Sequence, residues 1–113
     1  YHDPCHLGRH LSDSGVYEPP RNILKKIPGI ELAEMERIRE NSWCCGAGAG
    51  VSQVNPDFAM WTANERLREA KASGATALVT SCPWCERNFK DAAKEYGEKI
   101  EIYDIAEIAR KAI

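Results

Sequence analysis

Apolar residues recur at intervals of three and four in four segments of the chain, and this spacing is typical of amphipathic helices. Three of the segments begin at a proline, which suits the first turn of a helix. Three are followed by a glycine, which can end a helix. The predicted helices begin at Pro19, Pro56, Pro83 and Ile105 and end near Pro28, Gly74, Gly97 and Ala112.

Short apolar or alternating runs lie between the predicted helices and predict β-strands. They cover residues 1–5, 30–35, 75–80 and 100–103. Strands that alternate with helices along a chain usually form a parallel sheet with crossover helices. A chain of 113 residues can bury one modest core. We therefore predict one α/β domain over residues 1–113, small, Rossmann-like and three-layered, in which helices flank a mostly parallel sheet of about four strands.

Composition narrows the class of protein. A formal net charge of -2 gives no basic footprint for nucleic acid. No apolar run approaches the roughly 18 residues that a membrane-spanning helix needs. We therefore expect no nucleic-acid partner, no transmembrane segment in this chain and a cytoplasmic location, peripheral to a membrane only through partner subunits. Because the chain begins at Tyr1 without an initiator methionine, we also expect a fragment of a larger subunit.

The five cysteines are the main candidates for chemistry. An odd number cannot pair entirely within one chain, and disulfides are rare in a reducing cytosol. Ligands of open parallel sheets bind at the carboxyl ends of the strands, where all of these cysteines are predicted to lie. Cys5 follows one predicted strand, Cys44 and Cys45 precede a predicted helix, and Cys82 and Cys85 occupy a predicted strand-to-helix turn. The pattern therefore predicts a single metal or redox site.

Thiolates near the start of a helix are stabilised by its exposed amides and dipole. Thiolate sulfur selects iron–sulfur clusters, zinc or copper(I), and glycines such as Gly46 and Gly48 let backbone amides approach sulfur. A mononuclear zinc site needs only four ligands, so a fifth cysteine favours a cluster. Two alternatives stay open, a structural zinc site and a dithiol redox pair formed by Cys82 and Cys85.

Three histidines, His2, His6 and His10, lie near Cys5 in the sequence. One of them could line the site or donate a hydrogen bond to sulfur. The ordinary interpretation of a loop histidine is a solvated or capping side chain.

The cysteine motifs resemble a known family, the cysteine-rich CCG domain of heterodisulfide reductase subunits of the B and D type and of related iron–sulfur oxidoreductases. The resemblance covers nearly the whole chain. Cys5 and Cys44 are separated by 38 residues, and Cys45 and Cys82 by 36 residues. The matching motifs are His2-Asp3-Pro4-Cys5-His6-Leu7-Gly8-Arg9, Trp43-Cys44-Cys45-Gly46-Ala47-Gly48 and Cys82-Pro83-Trp84-Cys85.

The resemblance implies that the five cysteines hold a [4Fe–4S] centre, of the non-cubane kind in heterodisulfide reductase. It also implies, as partners, other iron–sulfur domains or subunits, a second CCG copy, and a disulfide or thiol substrate or a quinone-linked acceptor. Some copies of the motif in the wider family carry zinc instead.

This chain departs from the family pattern in two ways. Ala49 stands in a stretch that is commonly a run of glycines. Only one copy of the motif is present, and the ferredoxin-type cysteine run of many relatives is missing from the chain. We therefore expect the isolated domain to be inactive by itself in two-cluster disulfide chemistry.

Overall fold

The computed structural model describes all 113 residues and contains five α-helices and two β-strands. The helices are α1 (Glu18–Lys26), α2 (Val51–Val54), α3 (Pro56–Ala72), α4 (Pro83–Tyr96) and α5 (Ile105–Lys111), and the strands are β1 (Ala77–Thr80) and β2 (Glu101–Asp104). Short 3-10 helices cover Arg9–Ser14 and Arg39–Asn41. All four predicted helices are confirmed, whereas the one-turn helix α2 has no counterpart in the sequence prediction.

Local capping explains where the longer helices begin and end. The Asn55 side chain accepts a hydrogen bond of 3.2 Å from the Phe58 amide at the start of α3. At α5, Asp104 and Glu107 form a capping box. Helix α4 ends at Gly97, whose φ of 66° lies in the left-handed region that glycine adopts without strain. These ends depend on neighbouring residues alone, so the sequence identifies them.

Strands β1 and β2 pair in parallel, and α4 connects them. The sheet has two strands, whereas the sequence predicts about four. Residues 31–35 take no part in backbone–backbone hydrogen bonding, so the predicted strand at 30–35 has no neighbouring strand. Residues 1–5 run beside β1 but share a single backbone bond with it, from the His2 amide to the Val79 carbonyl at 2.8 Å. An extended segment without a ladder is not a strand.

Helices flank both faces of this small sheet. Leu78 and Ile102, which are register partners, belong to the main core together with residues of α3 and α4. Their neighbours Val79 and Tyr103 belong to a smaller cluster with residues of α1 and α5. Because successive side chains of a strand point to opposite faces, the sheet separates two helical layers.

A buried ion-pair network joins the first residues of the chain to α1. The Asp3 carboxylate accepts two bonds of 2.7 Å from the Arg21 guanidinium and one of 2.8 Å from the Arg39 amide. Arg21 also donates to Glu34 at 2.7 Å. Burial alone would lower the pKa of Arg21, but its bonds to Asp3 and Glu34 outweigh burial and raise that pKa. The charge on Arg21 therefore persists inside the fold.

A second network centres on Arg66 of α3, whose side chain is fully buried. It donates to His2 Nδ1 at 3.2 Å and to the Ser42 hydroxyl at 3.1 Å, and it pairs with Glu69. Burial keeps the pKa of His2 well below its usual value, so the ring is neutral. Since Nδ1 accepts from Arg66, the proton is on Nε2. The two networks together anchor residues that precede Cys5 and Cys44.

We expect Arg21→Met to lower the free energy of unfolding by about 3–5 kcal/mol, because it leaves the buried Asp3 carboxylate without its ionic partner. Urea unfolding followed by circular dichroism measures this. Arg68→Met is the matched control, since the pair of Arg68 with Glu65 is exposed, and its loss should cost less than about 1 kcal/mol. Equal losses in the two variants would contradict the assignment.

Candidate metal centre

Three distant parts of the chain bring their thiols to one cavity of about 260 Å³. The thiols are contributed by the loop before the first 3-10 helix, the loop before α2 and the start of α4. Three of them are buried and two are half-buried. The cavity is lined by Cys5, Cys44, Cys45, Cys82 and Cys85 together with residues of the glycine-containing loop. That these thiols are ligands stays a prediction.

The turn from β1 into α4 presents Cys82 and Cys85. Cys82 is the N-cap residue of α4, and its carbonyl accepts from the Glu86 amide at 2.9 Å. Cys85 follows in the first turn. Amides without helical partners and the positive end of the dipole lie at this terminus, and both stabilise negative charge on sulfur.

The Cys44–Cys45 loop turns sharply at Gly46. A Cβ at Gly46 would lie 2.9 Å from Thr62 Cβ and 3.0 Å from the Ala59 carbonyl, and its φ of 93° is left-handed. Only glycine fits this position without strain. The Gly46 amide donates to Cys44 Sγ at 3.3 Å, as predicted for an amide close to sulfur.

Gly48 and Ala49 differ from Gly46. Gly48 lines the cavity, but nothing lies within 4 Å of a Cβ built on it, and its φ is not positive. Ala49 has a φ of 55°, in the left-handed region. An alanine there costs roughly 1 kcal/mol more than glycine would. Alanine at position 49 therefore has a conformational cost that glycine would avoid.

Asn88 connects two of the cysteine-bearing segments, a role that the sequence analysis does not identify. Its side-chain amide donates to the Cys45 carbonyl at 2.8 Å and to the Ala59 carbonyl at 3.2 Å. Asn88 lies three residues after Cys85 on α4 and is buried. A polar residue within the apolar stripe of α4 is the sequence signal that marks it.

Burial and neighbouring thiols raise the pKa values of four of the five cysteines. Contact with Cys45, followed by burial, raises the pKa of Cys44. Contact with Cys44 lowers the pKa of Cys45, but contact with Cys85 and burial outweigh it and raise that pKa to about 12. Contact with Cys45 lowers the pKa of Cys85, but burial and the Cys82 thiol outweigh that effect. Burial and the Cys44 thiol raise the pKa of Cys5. Without a cation, the raised pKa values therefore keep the thiols of Cys5, Cys44, Cys45 and Cys85 protonated.

This donor set fits an iron–sulfur cluster. Five sulfur atoms from three segments face one cavity, and an amide already donates to one of them. Metal cations bind thiolates and thereby remove the electrostatic cost that keeps neighbouring buried thiols protonated. The predicted ligands are Cys5, Cys44, Cys45, Cys82 and Cys85, and Gly46 supplies the amide that would tune the sulfur.

Other residues near the thiols differ in exposure. His2 is fully buried and edge-on to Phe89, with 4.8 Å between ring centroids. His6 lines the cavity and is exposed. Trp84 also lines the cavity, and with 56% of its surface exposed it forms part of the rim. Trp43, beside Cys44, packs its ring against the Arg37 guanidinium at 3.8 Å.

Comparison with known families gives a match over residues 1–90 to the model of CCG, described as a cysteine-rich domain. This is the family that the cysteine motifs resemble. None of the helices combines the length and apolar character that crossing a bilayer requires.

Similar proteins are subunits or domains of iron–sulfur oxidoreductases. The chain is 43% identical over its full length to the D subunit of the dihydromethanophenazine:CoB–CoM heterodisulfide reductase of Methanosarcina acetivorans, and it spans 27% of that protein. It is 37% identical over its full length to the probable iron–sulfur-binding oxidoreductase FadF of Bacillus subtilis, spanning 16% of it. Over 96% of the chain it is 36% identical to the B subunit of the fumarate reductase (CoM/CoB) of Methanothermobacter marburgensis, covering 21% of that protein.

We expect Asn88→Ala to lower the free energy of unfolding by about 1–3 kcal/mol, because the buried Cys45 carbonyl loses its side-chain donor. Urea unfolding of the reduced, metal-free protein measures the change. Asn64→Ala is the matched control, since Asn64 is also buried but its Oδ1 has no hydrogen-bond partner. A loss in the control as large as that of Asn88→Ala would contradict the role given to Asn88.

We expect slow alkylation of Cys45 in the folded, metal-free protein. With a pKa of about 12, roughly one Cys45 in 10⁴ is a thiolate at pH 8, against about one in ten for an unperturbed thiol. The thiolate fraction, and with it the rate, should rise about tenfold per pH unit. Iodoacetamide labelling with mass-spectrometric mapping tests this, and urea-unfolded protein is the reference. Equal rates at pH 8 in folded and unfolded protein would refute it.

Proposed function

Because the chain belongs to the cysteine-rich CCG domain family, we propose that it is an iron–sulfur electron-transfer module of a heterodisulfide-reductase-like oxidoreductase. The observation that carries the proposal is the meeting of five thiols from three segments at one cavity. Four thiols would suffice for zinc, so the fifth favours a cluster with several irons. The proposed cofactor is one [4Fe–4S] cluster held by all five cysteines.

The cluster would supply one-electron redox chemistry. The chain's own contribution is to place the thiols and surround them with donors and low-polarity side chains. The dipole at the start of α4 would favour metal-bound thiolates at Cys82 and Cys85, and the Gly46 amide donates to Cys44. Asn88 fixes the Cys45 backbone against α4. Rigid placement of this kind, together with burial and amide donors, controls a cluster's potential.

The module would act within a larger protein. The relatives named above are longer than the chain, which spans about a quarter or less of each. We propose that residues 1–113 form one domain of such a protein, and that electrons arrive from a neighbouring iron–sulfur domain or subunit. They would leave toward a disulfide or a quinone-linked acceptor. The domain by itself, without a second copy of the motif, would not complete disulfide reduction.

We expect anaerobic reconstitution to load about four irons and four sulfides per chain, with a visible absorption band that bleaches on reduction. Cys44→Ser and Cys45→Ser should each lower the iron content and change the electron paramagnetic resonance spectrum. Ser52→Ala is a matched control, since Ser52 lines the same cavity without offering sulfur.

The outcomes separate the competing interpretations. An unchanged spectrum in both cysteine variants would replace the five-ligand site with a four-cysteine one. One tightly held zinc that iron cannot displace would make the domain a structural zinc module. Reversible oxidation of Cys82 and Cys85 without bound metal would make it a dithiol exchanger.

A further inference from the structure

A second group of metal-ligating side chains lies at the outer rim of the thiol cavity. The sulfur of Cys5 and one ring nitrogen each of His6 and His10 all lie within 4.8 Å of one another. The two rings meet edge to face, with centroids 5.2 Å apart. Thiolate sulfur and imidazole nitrogen are preferred ligands of Zn²⁺ and similar divalent transition metals.

Backbone hydrogen bonds and packing order the loop that carries the three side chains. The Gly8 amide donates to the Pro4 carbonyl and the His10 amide to the Cys5 carbonyl, both at 3.0 Å. A Cβ at Gly8 would approach the Tyr17 ring to 2.8 Å, so the loop packs closely against that side chain. These bonds and this packing therefore order the backbone from Pro4 to His10.

The two histidines of this group are accessible to an incoming cation. His6 and His10 are exposed, whereas the other histidine, His2, is fully buried. Arg9 lies between them in sequence, but its guanidinium donates to the Ser42 carbonyl. That bond ties the one positive side chain of the loop to a neighbouring segment, from which its charge still acts on the Cys5 thiol.

We propose that Cys5, His6 and His10 form a second binding site, at the rim of the thiol cavity, for a divalent transition-metal ion such as Zn²⁺. Binding would release the Cys5 proton to solvent, and water would complete the coordination of the three-ligand site. Because Cys5 also faces the thiol cavity, it can serve only one of the two sites at a time. A metal at the rim would thus leave Cys44, Cys45, Cys82 and Cys85 as a four-thiol set.

This site requires no cluster, so it can be tested without one, although it competes with the proposed cluster for Cys5. The experiment uses reduced, metal-free protein under anaerobic conditions. Zn²⁺ is titrated against a chromophoric chelator, and tightly held zinc per chain is counted. We expect the double variant His6→Ala/His10→Ala to hold one zinc fewer per chain than the unaltered protein. Both substitutions are at exposed positions, so the fold should persist.

Asp13→Ala is the control, because Asp13 is an exposed ionisable residue of the same 3-10 segment but is not in the ligand group. It should hold as much zinc as the unaltered protein. Zinc X-ray absorption spectra should show imidazole scattering that disappears in the double variant. An unchanged zinc count in the double variant, an equal loss in Asp13→Ala, or absence of imidazole scattering from the unaltered protein would overturn the site.

Discussion

The buried carboxylate of Asp3 ties together parts of the chain that the two-stranded sheet does not reach. Both carboxylate oxygens accept hydrogen bonds from Arg21 of α1, and one of them also accepts from the backbone amide of Arg39. The Ser42 hydroxyl donates to the backbone carbonyl of Asp3. Residues 3 and 42 each stand two positions before a cysteine. Since a buried charge requires a partner, this small domain uses ion pairs where a larger sheet would use strand pairing.

Buried side chains also hold the segments that form the thiol cavity. Arg66 of α3 reaches both His2 and Ser42, so one guanidinium contacts the two segments that lead to Cys5 and Cys44. Asn88 connects the third segment, because it stands on α4 and holds the Cys45 carbonyl. The loops that carry the thiols are thus irregular in backbone but supported by buried side chains of the two central helices.

The sequence predicts the helices well because their ends rest on local chemistry, as at Asn55, Asp104 and Gly97. It predicts too many strands. Apolar and polar residues alternate at 30–35, but a strand also needs a neighbouring strand to pair with, and this segment has none. It also predicts from strand ends that the cysteines share one edge of the molecule, although only the segment with Cys82 and Cys85 follows a strand of the structure. The partners of Asn88 and Arg66 are distant in sequence, and no local pattern indicates them.

The thiols come from positions that are far apart in the unfolded chain. A centre bridging them would close two loops of about 40 residues each, from Cys5 to Cys44 and from Cys45 to Cys82. In the chain-entropy treatment of covalent crosslinks, closing one such loop lowers the conformational entropy of the unfolded chain. This destabilises the unfolded state by roughly 4 kcal/mol. The cofactor would then act as a removable crosslink, so that its loss widens the conformational space of the unfolded ensemble even where the folded core is unchanged.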